Sequence, residues 1–451
     1  MNLSAKGFGA FDIRGLYPEV INEELAYRIG RVFPSLFETK KIAVGRDIRL
    51  SSLSLQNALV KGLTEAGCDV LDLELCGTEM IYFAVLHHEL DGGIMVTGSH
   101  NPKGYNGFQL VRREAQPIAE DTGLRELEAA VMAEEIPAAG GKTGQAEKLD
   151  VMDDYIDYLL SYIDLAALKP FKVVANTGNG SAGPVINAIE KKLPFDIVKV
   201  NNIPDGDFPN GVPNPLLPEN REATAKVVRE EEADLGVAWD GDFDRCFLFD
   251  EEGNCIDGYY LVGLLAEAFL KKQPGEKIVY DPRLIWNTEE VCRKFGGIPV
   301  LSRSGHAFIK DKMRACGAVY GGEMSSHHYF RDFSYCDSGM IPWLLVMELL
   351  SKTEGGNLSD FVKECRKRYP ISGEINSRVK DADAVLAKVE AAYAGKGEVT
   401  KIDGLSIAFD KWRFNLRKSN TEPVLRLNVE TRGDQELCQE KTEELLRLIR
   451  T

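Results

Sequence analysis

Strand-like and helix-like runs alternate along most of this 451-residue chain, and that alternation restricts the fold more than any other feature. A first block reads as a strand over 41–45, a helix over 51–66, a strand over 70–75, a helix over 79–89 and a strand ending at Ser99. A second reads as a helix over 152–163, a strand over 171–175, a helix over 182–192, a strand over 195–200, a helix over 221–231 and a strand over 234–239. A third reads as a helix over 259–271, a strand over 277–281, a helix over 288–295, a strand over 298–302, a helix over 307–316 and a strand over 318–321. Each block ends in a polar loop after a late strand, where open α/β sheets bind ligands. From about Ile371 the order changes to a helix over 382–394, β-runs over 406–410, 413–416 and 424–430, and a helix over 435–449. The expected fold class is therefore α/β, with three related α/β domains of mixed, mainly parallel sheets and a C-terminal α+β domain. The expected boundaries are 1–150, 151–256, 257–370 and 371–451, with residues 137–141 as the first linker and the proline-rich 204–218 as an internal loop.

The composition is that of a globular protein, 44% hydrophobic and 27% charged, with a formal charge of -16. That surplus of acid argues against nucleic acid or an anionic membrane surface as a partner. It does not exclude a phosphorylated small molecule, because charges beyond roughly 8 Å are screened and the pocket's own lining decides binding. No run reaches membrane-spanning length, and Met1 to Lys6 lacks the apolar core of a signal peptide, so the expected compartment is the cytoplasm. Nine cysteines without a C-x-x-C pair fit reduced thiols.

The three terminal loops carry the chemistry. In Thr97-Gly98-Ser99-His100-Asn101-Pro102 the Asn-Pro step disfavours a direct helix, leaving the Ser99 hydroxyl on a turn at a strand end. Ser99 is a candidate phosphate carrier, and the alternative is a turn serine bonded to its own backbone. A hydrolase nucleophile elbow is excluded because Thr97 stands where glycine is required. Asp240, Asp242 and Asp244 are oxygen donors dense enough for Mg²⁺ or Ca²⁺, Mg²⁺ if phosphate is a further ligand. Arg245 occupies the place where an EF-hand needs glycine, and suits a bidentate phosphate contact. Glu323 and Ser325 can bond sugar hydroxyls, and His327 is either a proton carrier or a buried, satisfied histidine. Arg417, Lys418, Ser419, Asn420 and Thr421 form either a phosphate-binding turn or an exposed basic one. Gly178 to Gly183 matches a dinucleotide fingerprint, but no acid follows the next strand at Val200-Asn201, and a tight structural turn is the favoured reading. Gly141-Lys142-Thr143 fails as a phosphate-binding P-loop because Ile136 replaces the leading glycine.

Taken together, 97–102, 240–245, 322–327 and 417–421 resemble, in order, the four signature loops of the α-D-phosphohexomutases, a likeness that spans nearly the whole chain. Gly322-Glu323-Met324-Ser325, with Asp281-Pro282-Arg283 and Tyr335 to Gly339, is similar to the bacterial phosphomannomutase branch. The resemblance implies four domains around a central cleft, with Ser99 as the phosphoserine and Asp240, Asp242 and Asp244 holding Mg²⁺ together with it. It implies that Arg14 and Arg245 stabilise the transferring phosphoryl and that His306, Arg283 and His327 lie near the proton-transfer positions. Glu323 and Ser325 would hold sugar hydroxyls, and Arg417, Ser419, Asn420 and Thr421 the phosphate that does not react. The implied activity is isomerisation of mannose 1-phosphate and mannose 6-phosphate, with a hexose 1,6-bisphosphate as intermediate and activator. Glucose phosphates are the alternative substrates, and a sugar phosphatase is a further alternative. Two departures stand out: Phe11 where many relatives have tyrosine, and Gln109 where they have lysine, which leaves the general base open.

Overall fold

The computed structural model describes residues 3–136, 141–418 and 424–450, and the chain forms two compact units. One comprises Met1–Cys255 and Asp332–Lys352, the other Ile256–Arg331 and Thr353–Thr451. The expected linker residues 137–140 lie outside the described residues.

In the first unit a seven-stranded sheet runs in the order Ile13–Leu16, Tyr105–Arg112, Gly92–Val96, Lys41–Arg46, Asp69–Leu75, Ala146–Lys148, with Gln116–Pro117 beside Tyr105–Arg112. The small and apolar strand Gly92–Val96 is buried at every position, as suits a central strand with both faces covered. It runs parallel to Lys41–Arg46 but antiparallel to Tyr105–Arg112, so the Ser99 loop joins the two arms of a hairpin. The second sheet repeats the device. Lys172–Asn176 lies parallel to Asp196–Val200 and Leu235–Trp239, and Cys246–Phe249 returns antiparallel to the latter, placing Asp240 to Arg245 in the connection.

The second unit uses it a third time. Ile298–Leu301, Lys277–Tyr280 and Tyr320–Gly322 are parallel, and His328–Phe330 returns antiparallel, with Glu323 to His327 between the arms. The C-terminal sheet is wholly antiparallel in the order Ile375–Arg378, Val424–Thr431, Trp412–Lys418, Leu405–Ala408, Glu398–Thr400. Phe414, Leu416, Leu427 and Val429 face one way and pack with Val389, Cys438, Leu445 and Ile449 of helices Ala382–Ala392 and Gln435–Arg450. Arg413, Asn415 and Arg417, opposite Glu430, Asn428 and Arg426, occupy the other face.

Four α-helices are absent from the sequence reading: Glu23–Leu36, Arg125–Met132, Met340–Ser351 and Leu358–Arg368. Met340–Ser351 is apolar almost all round and nearly wholly buried, so it carries no amphipathic period to read. It belongs to the first unit, where Trp239 stacks edge-on against Trp343 at 6.3 Å and donates Nε1 to the Gly339 carbonyl at 2.8 Å. Glu79 accepts at its start from Ser338 Oγ (2.8 Å), Gly339 N (2.6 Å) and Met340 N (3.3 Å). Burial outweighs these donors and the Tyr155 hydroxyl, and pushes the Glu79 carboxyl up to about 8. All nine cysteines are free thiols, and among the described residues no helix is long and apolar enough to cross a membrane.

Candidate active site

Ser99 sits in the left-handed region, φ 45, and is 4% exposed. Its hydroxyl donates to Asp240 Oδ2 at 3.1 Å and lies 3.1 Å from His100 Nδ1. Its backbone N–H is taken by Thr97 Oγ1 at 2.7 Å, and Thr97 Oγ1 in turn donates to Asp242 Oδ2 at 3.0 Å. Thr78 Oγ1, at the start of helix Thr78–His87, donates to the same Asp242 oxygen at 2.7 Å. The serine and aspartate loops touch through backbone: a Cβ on Gly241 would stand 2.6 Å from the Ser99 carbonyl oxygen.

The three aspartates are buried, and one carboxylate oxygen from each lies within 4.8 Å of those of the other two. Asp242 Oδ1 and Asp244 Oδ1 are buried with no hydrogen-bond partner among the described residues. Burial, then Asp242 and Asp240, push the Asp244 carboxyl well above the aspartate range. An all-oxygen set of like charges with unsatisfied lone pairs fits a hard divalent cation. The guanidinium of Arg245 completes the wall, with Nε 3.6 Å from Asp240 Oδ2 and 3.9 Å from Asp244 Oδ1, and NH2 3.0 Å from His100 Nδ1. Arg14 binds Asp12 at 2.8 Å and donates to the Thr97 carbonyl. Burial opposes its charge, but Asp12, Asp242 and Asp47 overcome that and hold its pKa above the ordinary value.

The raised Asp244 has a thermodynamic consequence. A carboxyl that holds its proton more tightly folded than unfolded stabilises the fold at low pH, and that contribution is lost as pH rises above the usual aspartate range. A cation needs the deprotonated form. Added Mg²⁺ is therefore expected to raise the melting temperature by several degrees at pH 8, by mass action at saturating metal, and by much less at pH 5. Differential scanning calorimetry at the two pH values checks this, and Asp244→Asn should flatten the difference.

The Gly178 to Gly183 turn supports this loop from behind. Ser181 N donates to the Gly241 carbonyl at 3.0 Å, and Asn201, at the position of the missing ribose-binding acid, accepts from Asn210 at 2.9 Å. This is the tight structural turn, not a dinucleotide site. Gln109 accepts from the Tyr82 hydroxyl at 3.4 Å.

A second group of predicted residues gathers in the second unit. Arg283, 4% exposed, forks onto Asp281 with Nε 2.8 Å from Oδ1 and NH2 3.0 Å from Oδ2. The same NH2 lies 3.4 Å from Glu323 Oε1 and 3.4 Å from Ser325 Oγ. Glu323 also accepts from Gly305 N at 2.8 Å and from the Tyr329 hydroxyl at 2.6 Å, so His306 begins its helix one residue from a Glu323 partner. His327 is half-buried, and its carbonyl accepts from Glu323 N at 2.9 Å. The fully buried histidine is its neighbour His328, with Nδ1 2.7 Å from the Tyr320 hydroxyl and its pKa pushed down to about 3 by burial. Arg417 is buried and not an exposed basic residue, with NH2 3.3 Å from Glu374 Oε2. Ser419, Asn420 and Thr421 lie outside the described residues.

Sequence reasoning missed Thr78, His100 and Glu374. Glu374 joins Arg417, Arg426 (3.3 Å) and Arg283 (3.7 Å), which hold it below its ordinary value although burial pushes the other way. No local motif marks it. His100 stood inside the quoted loop, and adjacency to Ser99 was the available signal.

The hairpin-borne loops and the clustered carboxylates sit in a chain that its family matches and relatives place among the four-domain sugar-phosphate mutases. The chain matches the phosphoglucomutase/phosphomannomutase alpha/beta/alpha domains I, II and III at residues 5–136, 153–253 and 257–369, and the C-terminal domain at 374–448. It belongs to that family, and is by that membership an isomerase. It is 55% identical to a phosphomannomutase of Salmonella montevideo over 449 residues, covering 98% of each chain. It is 54% identical to phosphohexose mutases of Xanthomonas campestris over 99% of this chain and 100% of that one. A phosphoglucomutase/phosphomannomutase family protein from Burkholderia thailandensis superposes with a TM-score of 0.89 at 32% identity, covering 99% of this chain and 98% of that one.

Proposed function

We propose that this chain interconverts mannose 1-phosphate and mannose 6-phosphate through a phosphorylated Ser99. The observation that carries the reading is the Ser99 hydroxyl, held on a buried left-handed turn and hydrogen-bonded at 3.1 Å to a member of the three-aspartate cluster. The P–O bond to Ser99 Oγ breaks as a sugar hydroxyl oxygen bonds to phosphorus and gives up its proton to a base. The resulting hexose 1,6-bisphosphate returns its other phosphoryl group to Ser99, whose hydroxyl proton leaves in turn. Phosphoryl transfer is chiefly positioning and charge neutralisation.

Asp240, Asp242 and Asp244 would hold Mg²⁺, which supplies positive charge beside a phosphoserine of about -1.5 to -2 at neutral pH. Arg14 and Arg245 supply the protein's share of that charge. Glu323 and Ser325 hold sugar hydroxyls, Arg283 contributes to substrate binding, Arg417, Ser419, Asn420 and Thr421 bind the phosphate that does not react, and His306, Arg283 and His327 lie near the proton-transfer positions. Domain I would end near residue 150, domain II near 256 and domain III near 370. The same reading makes the protein a cytoplasmic phosphoprotein, activated by hexose 1,6-bisphosphate.

The test is ³¹P NMR of mannose 1-phosphate with the protein, Mg²⁺ and a trace of hexose 1,6-bisphosphate, repeated with glucose 1-phosphate. A 6-phosphate signal is expected, growing faster from mannose. A faster glucose reaction would reassign the substrate preference, and inorganic phosphate alone would make the protein a phosphatase.

A further inference from the structure

We infer that Arg49 is the positioning residue that fixes the phosphate-carrying hydroxyl, an inference that rests on Ser99 being that carrier. Arg49 is 5% exposed and lies just beyond strand Lys41–Arg46, across from the serine loop. Its NH1 donates to the carbonyls of Pro102 and Tyr105, both at 3.0 Å. Its NH2 donates to the Ser99 carbonyl at 2.8 Å and to that of Asn101. One planar fork therefore gathers four carbonyls of a single loop.

The fork is itself held on every side. Asp47 Oδ2 lies 3.4 Å from Arg49 Nε and accepts the Gly98 N–H at 2.8 Å, tying cation and loop to one carboxylate. The Phe208 ring centroid lies 5.4 Å from Arg49 Cζ. Gly98 closes the opposite approach, where an added Cβ would come within 2.2 Å of Arg49 Nε.

The physical need is clear from Ser99, which pays for its left-handed φ with about 1 kcal/mol or more and is not a glycine. The bond from Arg49 NH2 to the Ser99 carbonyl fixes the peptide plane that follows the strained residue, and so keeps Oγ turned toward Asp240. A lysine ammonium is a point charge on a flexible stem and cannot span four carbonyls in one plane.

Arg49→Lys is expected to lower kcat about 10²-fold, the effect of an ångström-scale misplacement, with KM for the sugar phosphate within about 3-fold of wild type. Phosphorylation of Ser99 by glucose 1,6-bisphosphate, followed by quenched-flow mass spectrometry, should slow in parallel. Asp47→Asn, which keeps the hydrogen-bonding shape but loses the charge, is expected to lower kcat about 10-fold with KM unchanged, and serves if the lysine variant fails to fold. Wild-type turnover in whichever of the two variants folds, or a fall in kcat with Ser99 phosphorylated at the wild-type rate, would overturn the assignment. A wild-type protein that is active yet never phosphorylated on Ser99 would instead remove the carrier reading, and the role of Arg49 with it.

Discussion

Ser99→Ala is expected to lower mutase turnover by roughly 10³-fold or more while the protein stays folded, because the proposed mechanism makes its hydroxyl both nucleophile and leaving group. The stability cost should be small. The hydroxyl makes one hydrogen bond to Asp240, worth about 1 kcal/mol, and Asp240 keeps the cation of Arg245 3.6 Å away. Turnover is measured in a coupled assay with excess bisphosphate, and occupancy by mass spectrometry of the tryptic peptide. Retention of full turnover would mean that the phosphoryl group never rests on this serine. Threonine at the same position is expected to recover little, since a β-branched side chain is poorly tolerated at the positive φ that Ser99 adopts.

Much of the arrangement was legible because its chemistry is contiguous in sequence. Three aspartates at alternate positions after Trp239, or a serine two residues after Thr97, need no long-range contact to be noticed, and the alternation of strands and helices places both at strand ends. The return strands were harder. Tyr105–Arg112 and His328–Phe330 mix polar, aromatic and apolar residues, so they do not look like the buried parallel strands before them, although they turn each loop into a hairpin. Residues that act across the fold left no mark. Thr78 is 164 residues from Asp242, and Arg49 is 50 from the Ser99 carbonyl; the first contact joins the loops of two different sheets, and the second is set by the pairing of Lys41–Arg46 beside Gly92–Val96. Met340–Ser351 was unreadable for the opposite reason, since burial on all sides erases the period that identifies a surface helix.

Arg413→Met is expected to destabilise the second unit by about 3–5 kcal/mol, the cost of leaving one partner of a buried ion pair alone. Arg413 is 2% exposed and Glu430 is fully buried, on facing positions of strands Trp412–Lys418 and Val424–Thr431, with NH1 2.7 Å from Oε1. Arg413 also donates to the carbonyls of Arg283 at 3.0 Å and Pro282 at 2.9 Å, while Glu430 accepts from Ile285 N at 2.7 Å and Trp286 N at 3.3 Å. The pair thus grips both sides of the turn that carries Arg283. Removing the cation strands a carboxylate and two carbonyls, whereas Arg413→Met combined with Glu430→Leu removes both charges and should recover part of the loss. Urea unfolding of the full chain measures the three free energies, and the second unit's transition is the one expected to move. Because the turn also aims Arg283 at Glu323 and Ser325, the double variant should remain impaired in sugar binding after its stability returns. Its KM for mannose 1-phosphate should rise about tenfold, the equivalent of 1.4 kcal/mol of lost orientation. A double variant with recovered stability and unchanged KM would confine Arg413 to holding the C-terminal sheet against the turn.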